Sequence, residues 1–416
     1  MNAASGVTRL ESDTFGSVEV PQDALWGVQT QRCLENMSFS GRRLGDYREL
    51  VTALALIKRA AAEANVKAGV LEGTICQLIS SACQEILSGE HLDHFPVDIL
   101  AGGGGVGINM NTNEVIAKLA NRWKGSLPGT YAPVHPFRHV NASQSTADVC
   151  HTAYRLAICS AFEGLSAELE ALSAVMAQRA ADFEPVLTMG RTCLRDALPV
   201  SLGSLFAGYA SMIERRTKEL AASVDKLSAV NLGGTVLGSG AGAPAGYRLC
   251  VLDILSHLSG RSLSHRLNLY DAAQNIDDLA VVSSSIRHLA GALMKVARDL
   301  RLLASGPQAG LSEIRLPTLQ AGSSFFANKA NPLIPETMIH CCLQVIGNDR
   351  AVQAACEGGE LNLNVFEPVA FTNIMDSLRM LGRAVTLFRR LCLEGLEADL
   401  ARCASYVRQL SSTLTG

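Results

Sequence analysis

Apolar residues recur at intervals of three and four along most of the chain, which is the spacing of one buried face of an α-helix. Leu50, Leu54 and Ile57 share such a face, and the pattern returns over residues 75–87. Residues 148–183 repeat it almost without glycine or proline, which predicts a helix of roughly 54 Å. Further long helices are predicted over residues 201–230, 270–304, 335–356 and 366–392.

The segments outside these helices are shorter and more polar. The helical pattern breaks over residues 91–107, where a proline and a run of glycines occur, because both residue types disfavour helix interiors. The short predicted elements are extended pieces at 10–13 and 18–21, an irregular helix at 24–36 and a short helix at 113–123.

The long helices predict an all-α fold, an elongated bundle in which they pack side by side. Small side chains on their faces permit close approach. Hydrophobic residues make up 48% of the chain and aromatic residues only 5%, which favours packed helices over β-sandwiches. Each long helix is too apolar for a free monomer surface, so we expect oligomerisation through the bundle.

Charge and hydropathy exclude several classes of protein. A formal net charge of −3 gives no support for binding to nucleic acid or to a membrane surface. No uncharged apolar run reaches the length of about 18 residues that a membrane span needs. The first residues lack the basic and apolar regions of a signal peptide. The sequence therefore predicts a cytoplasmic protein.

The twelve cysteines are scattered at single sites along apolar helical faces, without a CxxC pair. This distribution predicts free buried thiols in a reducing cytoplasm, with metal ligation as a less favoured alternative. We interpret His91, Asp93 and His94 as solvated or hydrogen-bonded residues of a polar turn rather than as metal ligands. The glycines at 102–105 lack the Gly-Lys-Ser/Thr of a phosphate-binding loop. We therefore predict neither a metal nor a nucleotide site.

A polar loop between two long helices concentrates the candidate chemistry. Residues 322–332 contain a glycine followed by Ser323 and Ser324, then the cation Lys329 and the amide Asn331. Other polar connections join the long helices at the opposite ends. Antiparallel helices of about 50 Å hold such connections far apart within one subunit, so a single site requires neighbouring subunits. These other connections are residues 144–146 and 189–193.

Many blocks of the sequence, in order, resemble those of one known family, the aspartase/fumarase superfamily. The resemblance covers almost the whole chain and implies an α-helical homotetramer with a 20-helix core, five helices from each subunit. It also implies anti-elimination from a small succinyl-type dicarboxylate, usually with release of fumarate, without an organic cofactor, at sites shared by three subunits. The blocks include Phe95-Pro96-Val97-Asp98, Asn109-Met110-Asn111, His139-Val140-Asn141, Gln144-Ser145-Thr146, Met189-Gly190-Arg191-Thr192 and Gly322-Ser323-Ser324, followed by Lys329 and Asn331-Pro332.

The resemblance also suggests domain boundaries. Residues 1–143 correspond to a mostly helical N-terminal domain and residues 144–396 to a central five-helix bundle. Residues 397–416 correspond to a remnant of a C-terminal domain that is longer in relatives. Because that domain packs near the catalytic loop in relatives, we expect looser closure of the loop here.

The family pattern assigns roles to residues of the polar connections. Ser323 matches the catalytic base, which acts as an alkoxide, and a serine oxyanion needs nearby donors and positive charge. Lys329 and Asn331 match the cation and amide that hold the carboxylate on the carbon bearing the leaving group. The other matches are Ser145, Thr146 and Ser324 at the second carboxylate, where enediolate charge develops, Thr192 as a substrate-contacting hydroxyl, and Glu336, either a partner of a catalytic histidine or simply a first-turn helix charge.

Four positions that surround the leaving group depart from the family pattern. Val106 replaces a threonine, Ala147 an asparagine, Cys193 a histidine or glutamine, and Phe326 the methionine of the mobile loop. An ammonium group here would lose hydrogen bonds worth roughly 1–3 kcal/mol each. We therefore predict a carbon–nitrogen lyase whose leaving group is larger or less polar than ammonia, such as a substituted amine. Elimination of ammonia from aspartate is one alternative, and a catalytically silent structural paralogue is another.

Overall fold

The structure is a computed structural model that describes residues 6–126 and 129–414, without the side chains of residues 410–414. Helices dominate this part of the chain, and the predicted all-α class is confirmed. No helix in these described ranges is long and apolar enough to cross a membrane. The α-helices are α1 (Val28–Met37), α2 (Arg48–Lys67), α3 (Gly73–Leu87), α4 (Val106–Arg122), α5 (Thr146–Asp182), α6 (Leu202–Asp225), α7 (Ala245–Ser259), α8 (Leu269–Gln274), α9 (Asp277–Leu303), α10 (Leu333–Glu357), α11 (Glu367–Phe388) and α12 (Leu400–Leu414).

Among the described residues the strands are short, and each sheet has two strands. Two antiparallel hairpins account for the longest strands, and the hairpin after α5 carries part of the candidate site. Single π-helical turns lie at Pro136–Val140 and Arg389–Leu393. The strands are β1 (Thr8–Asp13) with β2 (Gly16–Pro21), β3 (Leu187–Thr192) with β4 (Arg195–Ser201), β5 (Ala229–Val230) with β6 (Ser264–His265), and β7 (Ile314–Arg315) with β8 (Glu397–Ala398).

The chain divides into two compact units. The predicted domain boundaries after residues 143 and 396 stay predictions. Unit 1 comprises Met1–Ser160, Val224–Ala280 and Ala351–Asn373, and unit 2 comprises Ala161–Ser223, Val281–Arg350 and Ile374–Gly416.

The core of unit 1 is built around α2, which packs against α3 and α7. The predicted apolar face is confirmed, because Leu50, Leu54 and Ile57 are all fully buried. Alanines fill most of the remaining buried positions of α2 and permit close approach of the neighbouring helices. Lys58 is fully buried in the same helix, so this core contains an ammonium group that needs polar partners.

Helix α4 is buried from Gly107 to Asn121 although many of its residues are polar. Its Glu114 carboxylate accepts the backbone N–H groups of Gly27 at 2.9 Å, Gln29 at 2.9 Å and Thr30 at 3.1 Å. These are unsatisfied donors at the start of α1, so Glu114 caps that helix from a neighbouring one. The polar residues of α4 are therefore buried contacts rather than a solvated face.

A buried ion cluster joins α5, α9 and α11 within unit 1. Arg155 is fully buried, and its Nε and Nη2 donate to the two oxygens of Asp278 at 2.7 Å each. Its Nη1 donates to Glu367 Oε1 at 2.5 Å. Burial opposes the charge, but the two carboxylates raise the pKa of Arg155 above its ordinary value. The paired geometry makes this buried charge tolerable.

In unit 2 the long helices are joined by short polar contacts among apolar residues. Ser283 Oγ of α9 donates to Asp349 Oδ1 of α10 at 2.7 Å. Asn348 Nδ2 of α10 donates to Ser377 Oγ of α11 at 3.0 Å. Hydrogen bonds of this kind satisfy buried polar groups and fix the axial position of each helix against its neighbour.

The structure differs from the predicted elements in several places. Helix α4 begins at Val106 rather than at residue 113, after Gly105 with a φ of 94°. The helix predicted from residue 270 is divided at Asn275 into α8 and α9. Asn268 caps α8, because its side-chain oxygen accepts the N–H of Tyr270 at 3.0 Å. Helix α7 and the β3–β4 hairpin were not predicted.

Candidate active site

In unit 1, the first turns of α4 and α5 lie side by side. Asn109 Nδ2 of α4 donates to Thr146 Oγ1, the hydroxyl of the first residue of α5, at 3.1 Å. Cys150 Sγ, one turn further along α5, contacts the carbonyl oxygen of Gly105 at 3.5 Å. The predicted residues Val106 and Ala147 therefore lie at the same end of this helix pair. Ser145 and Thr146, which were predicted as carboxylate donors, thus lie near Val106 and Ala147, two of the four altered leaving-group positions.

The turn before α5 is held by Asp148, which is fully buried. Its Oδ1 accepts the N–H of Ser145 at 2.9 Å, and its Oδ2 accepts the N–H groups of Gly233 at 2.9 Å and Thr235 at 3.1 Å. Burial raises the pKa of Asp148 to about 6, although the three N–H donors oppose the shift. Asp148 thus fixes Ser145 beside the positive end of the α5 dipole.

Ser145 directly precedes α5. Its Oγ accepts the N–H of Ala147 at 3.3 Å, which is the ordinary geometry of a serine before a helix. The hydroxyl proton of Ser145 is not used in that bond, so it remains a donor. Ser145, Thr146 and Ala147 are all partly exposed, and a small anion can reach them.

In unit 2, the loop from residue 322 to residue 331 is closed at its base by hydrogen bonds. Gly322 N donates to the carbonyl oxygen of Lys329 at 2.7 Å, and Asn331 Nδ2 donates to the carbonyl oxygen of Gly322 at 2.7 Å. A Cβ atom on Gly322 would lie 2.5 Å from Asn331 N, so only glycine fits. Asn331 therefore braces the loop with one amide hydrogen and keeps the second for a ligand.

Ser323 Oγ lies within this loop and accepts two backbone N–H groups. The donors are Phe325 N and Phe326 N, each at 3.0 Å. Serines often make such bonds in turns, but two N–H dipoles on one oxygen also favour its anionic form. Ser324 and Lys329 are exposed on the same loop. One loop thus carries a candidate base, a hydroxyl donor and a cation.

The two aromatic residues of the loop form a pair. The rings of Phe325 and Phe326 are T-shaped, with centroids 4.8 Å apart. Their side chains are 83% and 59% exposed. Large exposed apolar side chains beside a candidate base commonly mark a surface that is covered by a ligand or another chain. Phe326 is the member of this pair that was predicted to alter the leaving-group pocket.

The tip of the β3–β4 hairpin carries the other predicted residues of unit 2. Thr192 ends β3 and is exposed. Cys193 and Leu194 form the turn with φ values of 50° and 59°, a left-handed conformation that is unfavourable for residues with a Cβ. Exposed strain of this kind is typical of functional segments. Cys193 is exposed, so its thiol is available at the tip.

A cavity of about 250 Å³ lies beside the same hairpin in unit 2. It is lined in part by Arg191, Tyr209, Asp299 and Glu313. Arg191 Nη1 bonds to Glu313 Oε2 at 2.7 Å, and Tyr209 Oη donates to Asp299 Oδ2 at 2.7 Å. The acidic groups are therefore already paired. None of the predicted site residues, all of which the structure describes, lines this cavity.

Two other predictions concern charged residues. Glu336, in the first turn of α10, pairs with Arg301 Nη2 at 3.3 Å, the contact expected of a helix-end charge. His91 Nε2 lies 2.8 Å from Glu85 Oε2 and, together with Glu90, forms a group of candidate metal ligands. Arg122 already contacts the same Glu85 oxygen at 3.1 Å, so a cation is present there.

Sequence reasoning assigned no role to Lys58 or Asp148, which lie directly behind the predicted residues Ser145 and Thr146. A signal was present for Lys58, because this cation falls among the apolar and alanine positions of the buried helical face of α2. Such a residue is seldom fully buried unless it has polar partners. Asp148 offered no comparable signal, because an acidic residue in a first helical turn is common.

Comparisons with known proteins identify the family of the chain. A family model described as Lyase matches residues 16–347. Aspartate ammonia-lyase from Pseudomonas aeruginosa is 40% identical over 411 residues, which cover 98% of this chain and 86% of that protein. Aspartate ammonia-lyase from Escherichia coli K12 is 37% identical over 400 residues, with 96% and 84% covered.

Solved structures give the same result. A fumarate lyase:delta crystallin from Brucella melitensis, bound to cobalt, matches with a TM-score of 0.94 and 42% identity, covering 96% of this chain and 87% of that one. The class II fumarase of Schistosoma mansoni matches with a TM-score of 0.93 and 30% identity over the same shares. The chain therefore belongs to the aspartase/fumarase superfamily of lyases and is similar to its aspartate ammonia-lyases.

Proposed function

We propose that the protein is a carbon–nitrogen lyase that eliminates an amine from a succinyl or aspartate-type dicarboxylate. The product is fumarate or a fumarate-like acid, and the same site also serves the reverse addition. The observation that carries the proposal is the environment of Ser323, whose oxygen accepts two backbone N–H groups at 3.0 Å within a glycine-led loop. That is the environment that a serine alkoxide base requires.

The chemistry begins with a proton that is barely acidic, because it lies on the carbon next to a carboxylate. Ser323 takes this proton, and the electron pair moves into the neighbouring carboxylate to give a doubly charged aci-carboxylate. The carbon–nitrogen bond then breaks on the opposite face, and the amine leaves with the bonding electrons. Donors aimed at the carboxylate oxygens lower the barrier because charge accumulates there in the transition state.

Ser145, Thr146 and Ser324 are the proposed donors to that carboxylate. Thr146 Oγ1 already accepts a hydrogen bond from Asn109, so its own proton is free for the substrate. The first turn of the 37-residue helix α5 adds the positive end of a helix dipole. Lys329 and Thr192, both exposed, are proposed to hold the rest of the substrate.

The second carboxylate, on the carbon that bears the leaving group, is assigned to Lys329 with Asn331. An ammonium and an amide donor together suit a carboxylate. The spare amide hydrogen of Asn331 is the one that remains after its bond to Gly322. Glu336 is left outside the reacting groups in this scheme because it pairs with Arg301.

The leaving group is proposed to be larger or less polar than ammonia. Val106, Ala147, Cys193 and Phe326 present apolar or weakly polar groups, and Val106 is 49% exposed in the first turn of α4. A free ammonium at such a surface would leave hydrogen bonds unmade, at a cost of roughly 1–3 kcal/mol each. An N-substituted aspartate would instead bury its substituent against these side chains.

A second candidate is elimination of ammonia from aspartate itself. It is favoured by the 40% identity to the Pseudomonas aeruginosa aspartate ammonia-lyase over 98% of this chain. Either activity is proposed to need a homotetramer in which three subunits build each site, without an organic cofactor. We place the enzyme in the cytoplasm, because the described cysteines are free and most are buried, as expected in a reducing compartment.

A screen for fumarate release tests the proposal. Ultraviolet absorbance would be followed with aspartate, N-substituted aspartates and other 2-substituted succinates, and with fumarate plus amines for the reverse direction. We expect an N-substituted aspartate to have a higher kcat/KM than aspartate. Ser323→Ala should abolish turnover. Ser285→Ala should not, because Ser285 is a half-buried serine of α9 that donates to the Val281 carbonyl oxygen of its own helix at 3.0 Å. Preference for aspartate selects the second candidate, and no turnover in either direction refutes both.

A further inference from the structure

The buried ammonium of Lys58 is surrounded by side-chain amides. It is fully buried, and Nζ donates to Asn109 Oδ1 at 2.7 Å, Asn141 Oδ1 at 3.0 Å and Gln144 Oε1 at 3.0 Å. An ammonium has three hydrogens, and each has one amide oxygen as its acceptor. Asp148 acts on Lys58 electrostatically, but the hydrogen bonds that Nζ donates to described residues go to these amide oxygens. The partners are therefore neutral amides, all from segments next to the start of α5.

Because an ammonium only donates, each of these amides must turn its oxygen towards Lys58 and its NH₂ group away. The NH₂ group of Asn109 consequently faces Thr146 Oγ1 at 3.1 Å and Asn141 Oδ1 at 3.1 Å. The NH₂ group of Gln144 faces the carbonyl oxygens of Val140 and Ala142 at 3.0 Å each. One cation thus fixes the orientation of several side-chain amides.

The orientation of Asn109 decides which way the Thr146 hydroxyl donates. A hydroxyl that accepts from an amide NH₂ has its own proton free for another acceptor. If the Asn109 amide were turned over, its oxygen would face Thr146, and Thr146 would donate inwards. The start of α5 would then lose one donor to an incoming carboxylate, although no atom of Thr146 had moved far.

We propose that Lys58 is a positioning residue for substrate binding: through Asn109 it keeps the Thr146 hydroxyl as a donor towards the substrate carboxylate. The inference rests on the proposed function of Thr146. Lys58 touches no substrate and acts only through the amide. It does so in its ammonium form, so the variants are compared at a pH below about 7, the pKa of the buried Lys58. A hydrogen bond to a charged group contributes about 1.5–3 kcal/mol, so the loss of one donor corresponds to about a 10- to 150-fold fall in kcat/KM.

Asn109→Asp is the sharpest test because it retains shape and strengthens the pairing with Lys58. A carboxylate cannot donate, so Thr146 would have to donate inwards to it. We expect kcat/KM to fall about 10- to 150-fold while the melting temperature stays level or rises. A purely structural role for Lys58 predicts a tolerated change. Wild-type kcat/KM in Asn109→Asp would overturn the inference.

A double-mutant cycle of Lys58→Met and Thr146→Val tests the connection directly. If Lys58 acts through Thr146, each single variant loses activity and the double variant is no worse than the poorer single one. Effects that multiply would overturn the inference. Arg59→Met is the matched control, since Arg59 is the next residue on α2 and pairs with Glu63 at 3.1 Å. It should keep wild-type kcat/KM. Should Lys58→Met not fold, the Asn109→Asp result decides.

Calorimetric titration with succinate separates this inference from the proposed function. Succinate carries both carboxylates and has no leaving group. If the wild type binds succinate but turns over no substrate, the proposed function fails, and the dissociation constants of the Asn109→Asp and Thr146→Val variants still test Lys58. If the wild type is active and these variants bind succinate as tightly as it does, the positioning role fails alone.

Discussion

The backbone N–H of Phe325 offers the most direct test of Ser323 as an alkoxide. Phe325 N and Phe326 N each donate to Ser323 Oγ at 3.0 Å. Phe325→Pro removes one of these donors without changing Ser323, because proline has no N–H. Phe325→Ala removes the exposed ring but retains the N–H. The pair of variants therefore separates the amide from the aromatic side chain.

The expected size of the effect follows from the two bonds. Each hydrogen bond to a charged oxygen contributes about 1.5–3 kcal/mol, so the loss of one lowers the population of the Ser323 alkoxide about 10- to 150-fold. We expect kcat to fall by a similar factor in Phe325→Pro. KM should change little, because the proposed carboxylate donors Thr146 and Lys329 are intact. The rate should also continue to rise at alkaline pH, where the alkoxide becomes easier to form.

Initial rates of fumarate formation as a function of pH would measure this effect, with the melting temperature as the check on folding. Phe325→Ala should keep a pH–rate profile close to that of the wild type. If Phe325→Pro and Phe325→Ala lose kcat equally while both remain folded, the ring rather than the amide matters. The argument for a stabilised alkoxide would then be refuted.

Three further predictions follow from other parts of the structure. The double variant Ala147→Asn/Cys193→Gln should raise kcat/KM for aspartate, relative to that for N-substituted aspartates, by about 10-fold per restored hydrogen bond. If competition assays show the same ratio of the two kcat/KM values as in the wild type, the apolar pocket is contradicted. Arg155→Met should lower the free energy of unfolding in urea by about 3–5 kcal/mol because it strands buried carboxylates, whereas Lys218→Met, at an exposed pair, should cost less than about 1 kcal/mol. Burial lowers the pKa of Lys58 from 10.5 to about 7, so between these pH values the unfolded state binds more protons than the folded state. The free energy of unfolding should therefore rise from pH 7 towards pH 10. If this rise with pH is no smaller in Lys58→Met, Lys58 is not its cause.

Periodicity predicted the long helices because their burial follows local spacing. Residues 148–183 were predicted as one helix and form α5, Thr146–Asp182. The same method placed the start of α4 at residue 113, although the helix begins at Val106. Buried asparagines and Glu114 look polar in sequence, and only their partners in other segments make them core residues. Periodicity cannot distinguish a satisfied buried amide from a solvated one.

The hairpin after α5 shows a second limit of sequence reasoning. Two-residue hairpin turns usually contain asparagine or glycine, because both central residues take positive φ. Here Cys193 and Leu194 occupy these positions with φ values of 50° and 59°, so the turn carries no local signal. The polar segment at residues 189–193 was nevertheless recognised as a candidate site. The residue types of this segment thus support a prediction of chemistry, although they carry no signal for its backbone conformation.

Lys58 combines these two limits. Its position on the apolar face of a helix is visible in the sequence, but its role depends on residues that are distant along the chain. Its acceptors Asn109, Asn141 and Gln144 are 51, 83 and 86 positions away along the chain. No local pattern brings them together, and only the packing of α2 against the segments before α5 does so. A lysine on the apolar face of a helix therefore predicts that buried acceptors exist. Their identity, and the consequence for the Thr146 hydroxyl, require the fold.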